Sequence, residues 1–117
     1  MKIAVGGSRD FCGYEILKDA LNDVIQQLDG QEIILLSGHC RGTDQLVERY
    51  AEEMAIPIDL HPAQWEKYGK AAGVKRNHEM VDLADRVIAF WNGKSKGTKS
   101  LIDYARKTAK PIDVIEI

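Results

Sequence analysis

Lys2-Ile3-Ala4-Val5-Gly6-Gly7-Ser8-Arg9 opens the chain, and the apolar stripe Ile16, Leu17, Ala20, Leu21, Val24, Ile25, Leu28 begins seven residues later. The short β-branched run ending in glycine reads as a strand; the stripe, with its i, i+1, i+4, i+5 spacing, reads as an amphipathic helix. The same alternation continues to the end of the chain. Glu32 to Leu36, Pro57 to Leu60, Arg86 to Phe90 and Pro111 to Ile115 read as further strands. Leu46-Val47-Tyr50-Ala51-Met54, Met80-Val81-Ala84 and Leu101-Ile102-Ala105-Ala109 read as the helices between them. A β-α-β-α-β-α-β-α-β string predicts an α/β fold: a doubly wound, five-stranded parallel sheet in a three-layer α/β/α sandwich. Strand orders 3-2-1-4-5 and 2-1-3-4-5 both fit. Each has a switch point beside the first strand, where the crevice outside the carboxyl ends of the strands takes ligands.

The 117 residues suffice for one domain, and 44% hydrophobic with 29% charged composition supports a core. The longest purely aliphatic run is Ile33-Ile34-Leu35-Leu36, too short to span a membrane, and the apolar N-terminus is too short for a signal peptide. We therefore expect a cytoplasmic chain with no membrane partner, in which Cys12 and Cys40 stay reduced. A net charge of −2 argues against a dedicated duplex-DNA binder.

That net charge hides an asymmetry. The loops expected at the carboxyl edge are Ser8 to Tyr14, Ser37 to Asp44, His61 to Asn77 and Asn92 to Lys99. They hold nine of the 16 Lys and Arg but three of the 18 Asp and Glu, a net +6 against −8 elsewhere. A positive cleft at helix N-termini suits an anion, most simply a phosphate. Every glycine except Gly30 lies at or beside this edge.

Four segments supply the candidate contacts. Gly6, Gly7, Ser8 and Arg9 close the first strand, offering close backbone approach, a hydroxyl and a cation. Ser37, Gly38, Arg41, Gly42 and Thr43 follow the second, with Thr43 or Asp44 able to cap the next helix. Gly93, Lys94, Gly97 and Thr98 repeat the Gly-x-x-x-Gly-Thr spacing after the fourth. The long 61–77 loop brings Trp65, Arg76 and Asn77: an aromatic ring able to stack a nucleobase, with polar groups beside it. The alternative for Trp65 is a loop anchor packed on the core. Neither the dinucleotide fingerprint G-x-G-x-x-G nor a P-loop occurs. His39, Cys40, His61 and His78 match no zinc spacing, so no metal and no cofactor are expected. His39 is the one histidine placed to act as a base.

In order along the chain stand Gly6-Gly7-Ser8-Arg9, Ser37-Gly38…Arg41-Gly42-Thr43-Asp44, Trp65…Tyr68-Gly69-Lys70-Ala71-Ala72-Gly73…Arg76-Asn77, Ala84-Asp85, and Gly93…Gly97-Thr98. This series resembles the YspA-like branch of the SLOG superfamily, the Rossmann-like group that includes lonely-guy phosphoribohydrolases and the DprA DNA-processing protein. The resemblance covers nearly the whole chain, residues 1–117 as a single SLOG-like domain. It implies a nucleotide or nucleotide-derived ligand, held at the segments above, and self-association into a homo-oligomer. The lonely-guy enzymes carry acids directly after a Pro-Gly-Gly-x-Gly-Thr run; here Lys99 follows Thr98, and the nearest acid is Asp103.

Three readings follow. The first is a domain that senses or sequesters a nucleotide-type small molecule. The second is an N-glycosidase of the phosphoribohydrolase type. Such an enzyme needs a carboxylate for oxocarbenium charge or for water, which nominates Asp44 and Asp10 as catalytic. The third is a single-stranded nucleic-acid module, for which one phosphate pocket is a poorer match than a groove.

Overall fold

The computed structural model describes residues 1–117, with a radius of gyration of 13.0 Å. Its strands are β1 (Lys2–Gly7), β2 (Ile34–Ser37), β3 (Ile58–Leu60), β4 (Arg86–Trp91) and β5 (Ile112–Glu116). Its helices are α1 (Tyr14–Gln27), α2 (Thr43–Glu53), α3 (Trp65–Tyr68), α4 (Ala72–Leu83) and α5 (Lys96–Lys107), with a 3-10 turn at Gly69–Ala71. The sheet is wholly parallel in the order β3-β2-β1-β4-β5, the first of the two orders the sequence allows. β1 therefore lies at the centre, between β2 and β4.

Successive residues of a strand point to opposite faces, and the two cores divide accordingly. Ile3, Val5, Leu35, Ile88 and Phe90 project onto Leu17 and Leu21 of α1 and Val47 and Tyr50 of α2. Ala4, Leu36, Val87 and Ala89 project onto Met80 and Val81 of α4 and Leu101, Ile102 and Ala105 of α5. Burial on both faces explains why the central strands are continuously apolar instead of alternating.

The structure moves several boundaries. β1 runs on through Gly6 and Gly7, which pair with Ala89 and Phe90. A side chain at Gly7 would stand 2.6 Å from both the Phe90 carbonyl and Thr43 Oγ1, so only glycine lets these three segments meet. The larger correction concerns 61–77, expected as a loop. It holds α3, the 3-10 turn and the first half of α4. The inward positions of that half-helix are Ala72 and Arg76, one small and one charged, so no apolar period announced it. Arg76 and Asn77 thus sit on a helix, not a loop. Gly30, φ +79°, falls two residues beyond Leu28, the cap of α1.

Candidate functional site

The carboxyl ends of β1, β2 and β4 open into a cleft of about 690 Å³. It is lined by Gly6, Gly7, Ser8, Arg9 and Asp10 after β1; Gly38, Arg41 and Asp44 after β2; Trp65, Arg76 and Asn77 from α3 and α4; and Lys94, Gly97 and Thr98 at the start of α5. All of these were nominated from the sequence. Ser37, Gly42, Thr43 and Gly93 stand outside the lining and shape the loops instead. Ser37 Oγ accepts the His39 amide, and its carbonyl accepts the His61 amide at 2.7 Å. Gly93 makes an exposed turn with φ +80°. Gly42, φ +73°, packs against the Arg9 backbone.

Thr43 does not cap α2 with its side chain. Its hydroxyl donates to the Ser8 carbonyl at 2.9 Å and its amide to the same oxygen at 3.2 Å. Asp44 does not cap either: its Oδ2 accepts the Cys40 amide at 3.1 Å. α2 therefore starts at Gly42 without a side-chain cap. α5 is capped by Ser95, whose Oγ accepts the Thr98 amide at 3.3 Å, so Gly97 lies inside the helix. The two Gly-x-x-x-Gly-Thr turns are not structural equivalents. The Ser95-x-x-Thr98 cap was the sequence signal that would have separated them.

The floor of the cleft is built from buried polar groups. Ser8 is 1% exposed, its amide donates to the Phe90 carbonyl at 3.1 Å, yet its Oγ has no hydrogen-bond partner. Arg76 is buried too. Its Nη1 donates to the Gly38 carbonyl at 2.6 Å and its Nε to Asn77 Oδ1 at 3.0 Å, and both terminal nitrogens face Cys40 Sγ at 3.6–3.7 Å. No carboxylate lies within ion-pair distance of it. A Cβ at Gly38 would displace the Arg76 guanidinium from its place against the Gly38 carbonyl. Asn77 Nδ2 reaches across to the Gly97 carbonyl at 3.3 Å, joining α4 to α5.

Burial pushes the Asp44 carboxyl up to about 6; the Cys40 amide, Arg76 and Arg9 oppose the rise, and Glu48 adds to it. Asp10 lies exposed on the rim. His39 is turned away from the role of base: its Nδ1 meets Glu48 Oε1 at 2.9 Å on the outside of α2. No cluster of three or more His, Cys, Asp or Glu side chains is arranged to hold a metal.

Residues outside the sequence's candidate contacts complete the lining. Cys40, Lys70, Asn92 and Ser95 add polar atoms, Gly73 adds backbone, and Val5, Val74, Met80 and Leu101 add apolar wall. Val5, Met80 and Leu101 belong to periodic strand and helix positions, which a reading of the loops passes over, and Val74 lies on the exposed side of α4.

Residues 1–68 match the model of the family described as YAcAr: YspA, cpYpsA-related SLOG family. The Gene 61 protein of Mycobacterium phage D29 is 34% identical over 117 aligned residues, 95% of this chain and 93% of that protein. The chain belongs to the YspA, cpYpsA-related SLOG family. The chain is also similar to the SPbeta prophage-derived protein YoqJ of Bacillus subtilis (strain 168), 33% identical over 54 residues, 44% of this chain and 32% of that one. Among solved structures, DNA processing protein A from Streptococcus pneumoniae superposes with a TM-score of 0.74 at 19% identity. It matches 97% of this SLOG chain, which spans 49% of that protein. DNA processing protein A from Helicobacter pylori, described for its single-stranded DNA binding mode, gives 0.66 at 22% identity, over 97% of this chain and 64% of that one. At these identities the likeness establishes a shared Rossmann-like α/β fold. No helix of the chain is long and apolar enough to cross a membrane.

Proposed function

We propose that this SLOG chain binds a nucleotide or nucleotide-derived ligand through its phosphate, as a sensor or sequestering domain. The observation that carries this reading is the Ser8 hydroxyl, buried on the cleft floor without a partner. A buried polar group left unpaired costs about 1–3 kcal/mol, and a ligand oxygen would remove that cost. Arg76 supports it with a buried guanidinium that makes no ion pair, and the N-termini of α2 and α5 point their free amides toward the same edge.

The test is a thermal-shift screen against AMP, ADP, ADP-ribose, NAD, cyclic nucleotides and inorganic phosphate, each hit then chromatographed for breakdown. A ligand at 100 times its Kd adds about 2.7 kcal/mol of stability. Ser8→Ala should leave the free protein as stable as wild type or slightly more so, and should weaken the hit about tenfold. An unchanged affinity in Ser8→Ala would sink the reading.

A second reading has one specific support. Asp44, with its carboxyl pushed up to about 6 inside the cleft, holds and releases a proton near neutrality, as a general acid or base must. Turnover to free base and ribose phosphate, lost in Asp44→Asn with binding retained, would establish the N-glycosidase. Affinity falling steeply with salt, over several phosphates, would instead indicate a single-stranded nucleic-acid ligand. For homo-oligomer formation the reading rests on the family resemblance, and sedimentation analysis tests it.

A further inference from the structure

Trp65 is the largest apolar side chain left in solvent, 49% exposed, although it lines the cleft. It belongs to neither hydrophobic core, and its indole N–H has no hydrogen-bond partner. The other tryptophan behaves differently: Trp91 packs on the α4–α5 core and donates its Nε1 to the Ser95 carbonyl at 3.1 Å. A loop anchor would resemble Trp91. Trp65 contributes nothing comparable to folding, so the loop-anchor alternative does not account for it.

Its support is equally light. α3 and the 3-10 turn after it contain no buried residue. They are joined at Gly69, φ +56°, with nothing within 4 Å of where a Cβ would stand. This segment is a flap attached along one edge. The indole leans on α4 at Gly73, its Cη2 3.5 Å from the position of a Cβ there. Val74, 43% exposed, continues the apolar surface at the cleft wall. Gly73 precedes Arg76 by three residues, about 4.5 Å along the helix axis and on neighbouring faces of one turn. Indole and guanidinium thus line the same cleft from one stretch of chain.

We propose that Trp65 is the base platform of the cleft: an aromatic base stacks on the indole while the phosphate of the same molecule lies at Ser8 and Arg76. This rests on the phosphate reading above and narrows it to ligands that carry an aromatic base. Bare sugar phosphates would occupy only the floor. The flap closes over the base because stacking gives the indole the contact that folding denies it. Stacking tolerates any base, since every base offers a π-face.

The experiment is titration calorimetry of wild type, Trp65→Phe and Trp65→Ala with two probes, AMP and ribose 5-phosphate, alongside intrinsic fluorescence. Wild type should bind AMP more tightly than ribose 5-phosphate, and AMP alone should quench the exposed indole. Trp65→Ala should weaken AMP by about ten- to a hundred-fold and leave ribose 5-phosphate unchanged, while Trp65→Phe retains most of the AMP affinity. Two results would overturn the platform with the phosphate site intact: equal affinity of wild type for both probes, or equal loss of both in Trp65→Ala. Failure of wild type to bind either probe would remove the phosphate reading, and the platform with it. Because Trp65 lies outside both cores, the alanine variant keeps the fold.

Discussion

Gly42→Ala should lower the unfolding free energy by about 3 kcal/mol or more, a fall in Tm of roughly 10 °C for a chain of this size. Two penalties add. The residue sits at φ +73°, ψ −124°, a region open to glycine and strained for alanine. Its new Cβ would also collide with the Arg9 backbone, lying 2.7 Å from the Arg9 Cα. Backbone cannot turn aside as a flexible side chain can. Gly30→Ala isolates the first penalty, since φ is +79° but nothing lies within 4 Å; its cost should be about 1 kcal/mol. Urea unfolding of both variants decides the matter. Equal losses would mean that the loops after β1 and β2 separate easily, and that their contact does not hold the cleft together. The position also bears on function, because displacing the Arg9 loop shifts Ser8, which is hydrogen-bonded to the same corner.

Asp44→Asn should raise stability at pH 8, raise it about half as much at pH 5, and change it little below pH 4. The carboxyl rises from its ordinary 3.8 to about 6 mainly because burial disfavours the charge, and Arg76 does not fully offset this. The folded chain thus holds a proton that the unfolded chain has released between pH 4 and pH 6. Stability falls as pH rises through that window, by about 3 kcal/mol in all, and the full loss persists above it. Asparagine keeps an oxygen for the Cys40 amide and carries no charge, so the variant's Tm should be nearly flat across the window. The same proton governs anion affinity. At pH 8 the cleft of Asp44→Asn lacks the carboxylate charge and should bind phosphate-bearing ligands more tightly than wild type does; the advantage should shrink as pH falls through 6. If the variant were instead less stable at pH 8, the carboxylate would be a net partner of Arg76, and the pH dependence of binding should vanish with it.

The fold was legible because its regularities are local. Ile3-Ala4-Val5, Leu35-Leu36 and Val87-Ile88-Ala89-Phe90 alternate between two buried faces, and the helical stripes between them match those faces. Strand order is a long-range property. β1 lies between β2 and β4 through pairings such as Lys2 with Ile34 and Ile3 with Arg86, and the string of elements reads the same for either order. α4 was half hidden because Arg76 occupies an inward position that an apolar residue normally fills. The cleft was legible as an edge: glycines, cations and hydroxyls gather where the strands end. What each does there was not. Thr43 and Ser37 are spent on backbone carbonyls and amides, and Asp44 is committed to the Cys40 amide. A linear sequence shows none of those partners.

The corner around Ser8 sets a contrast in local opening. Its carbonyl accepts the Thr43 hydroxyl, the Thr43 amide and, at 3.4 Å, the Phe11 amide, while its own amide bonds to Phe90. Segments far apart in sequence hold this one peptide, so it cannot fray by itself. Its amide hydrogen and that of Thr43 should exchange with solvent only when the whole chain unfolds, and the flap at Trp65 should exchange through small, frequent openings. One half of the cleft is thus rigid before any ligand arrives and adds little ordering entropy on binding. The other half, where α3 and the 3-10 turn bury nothing, is where a bound ligand would add order.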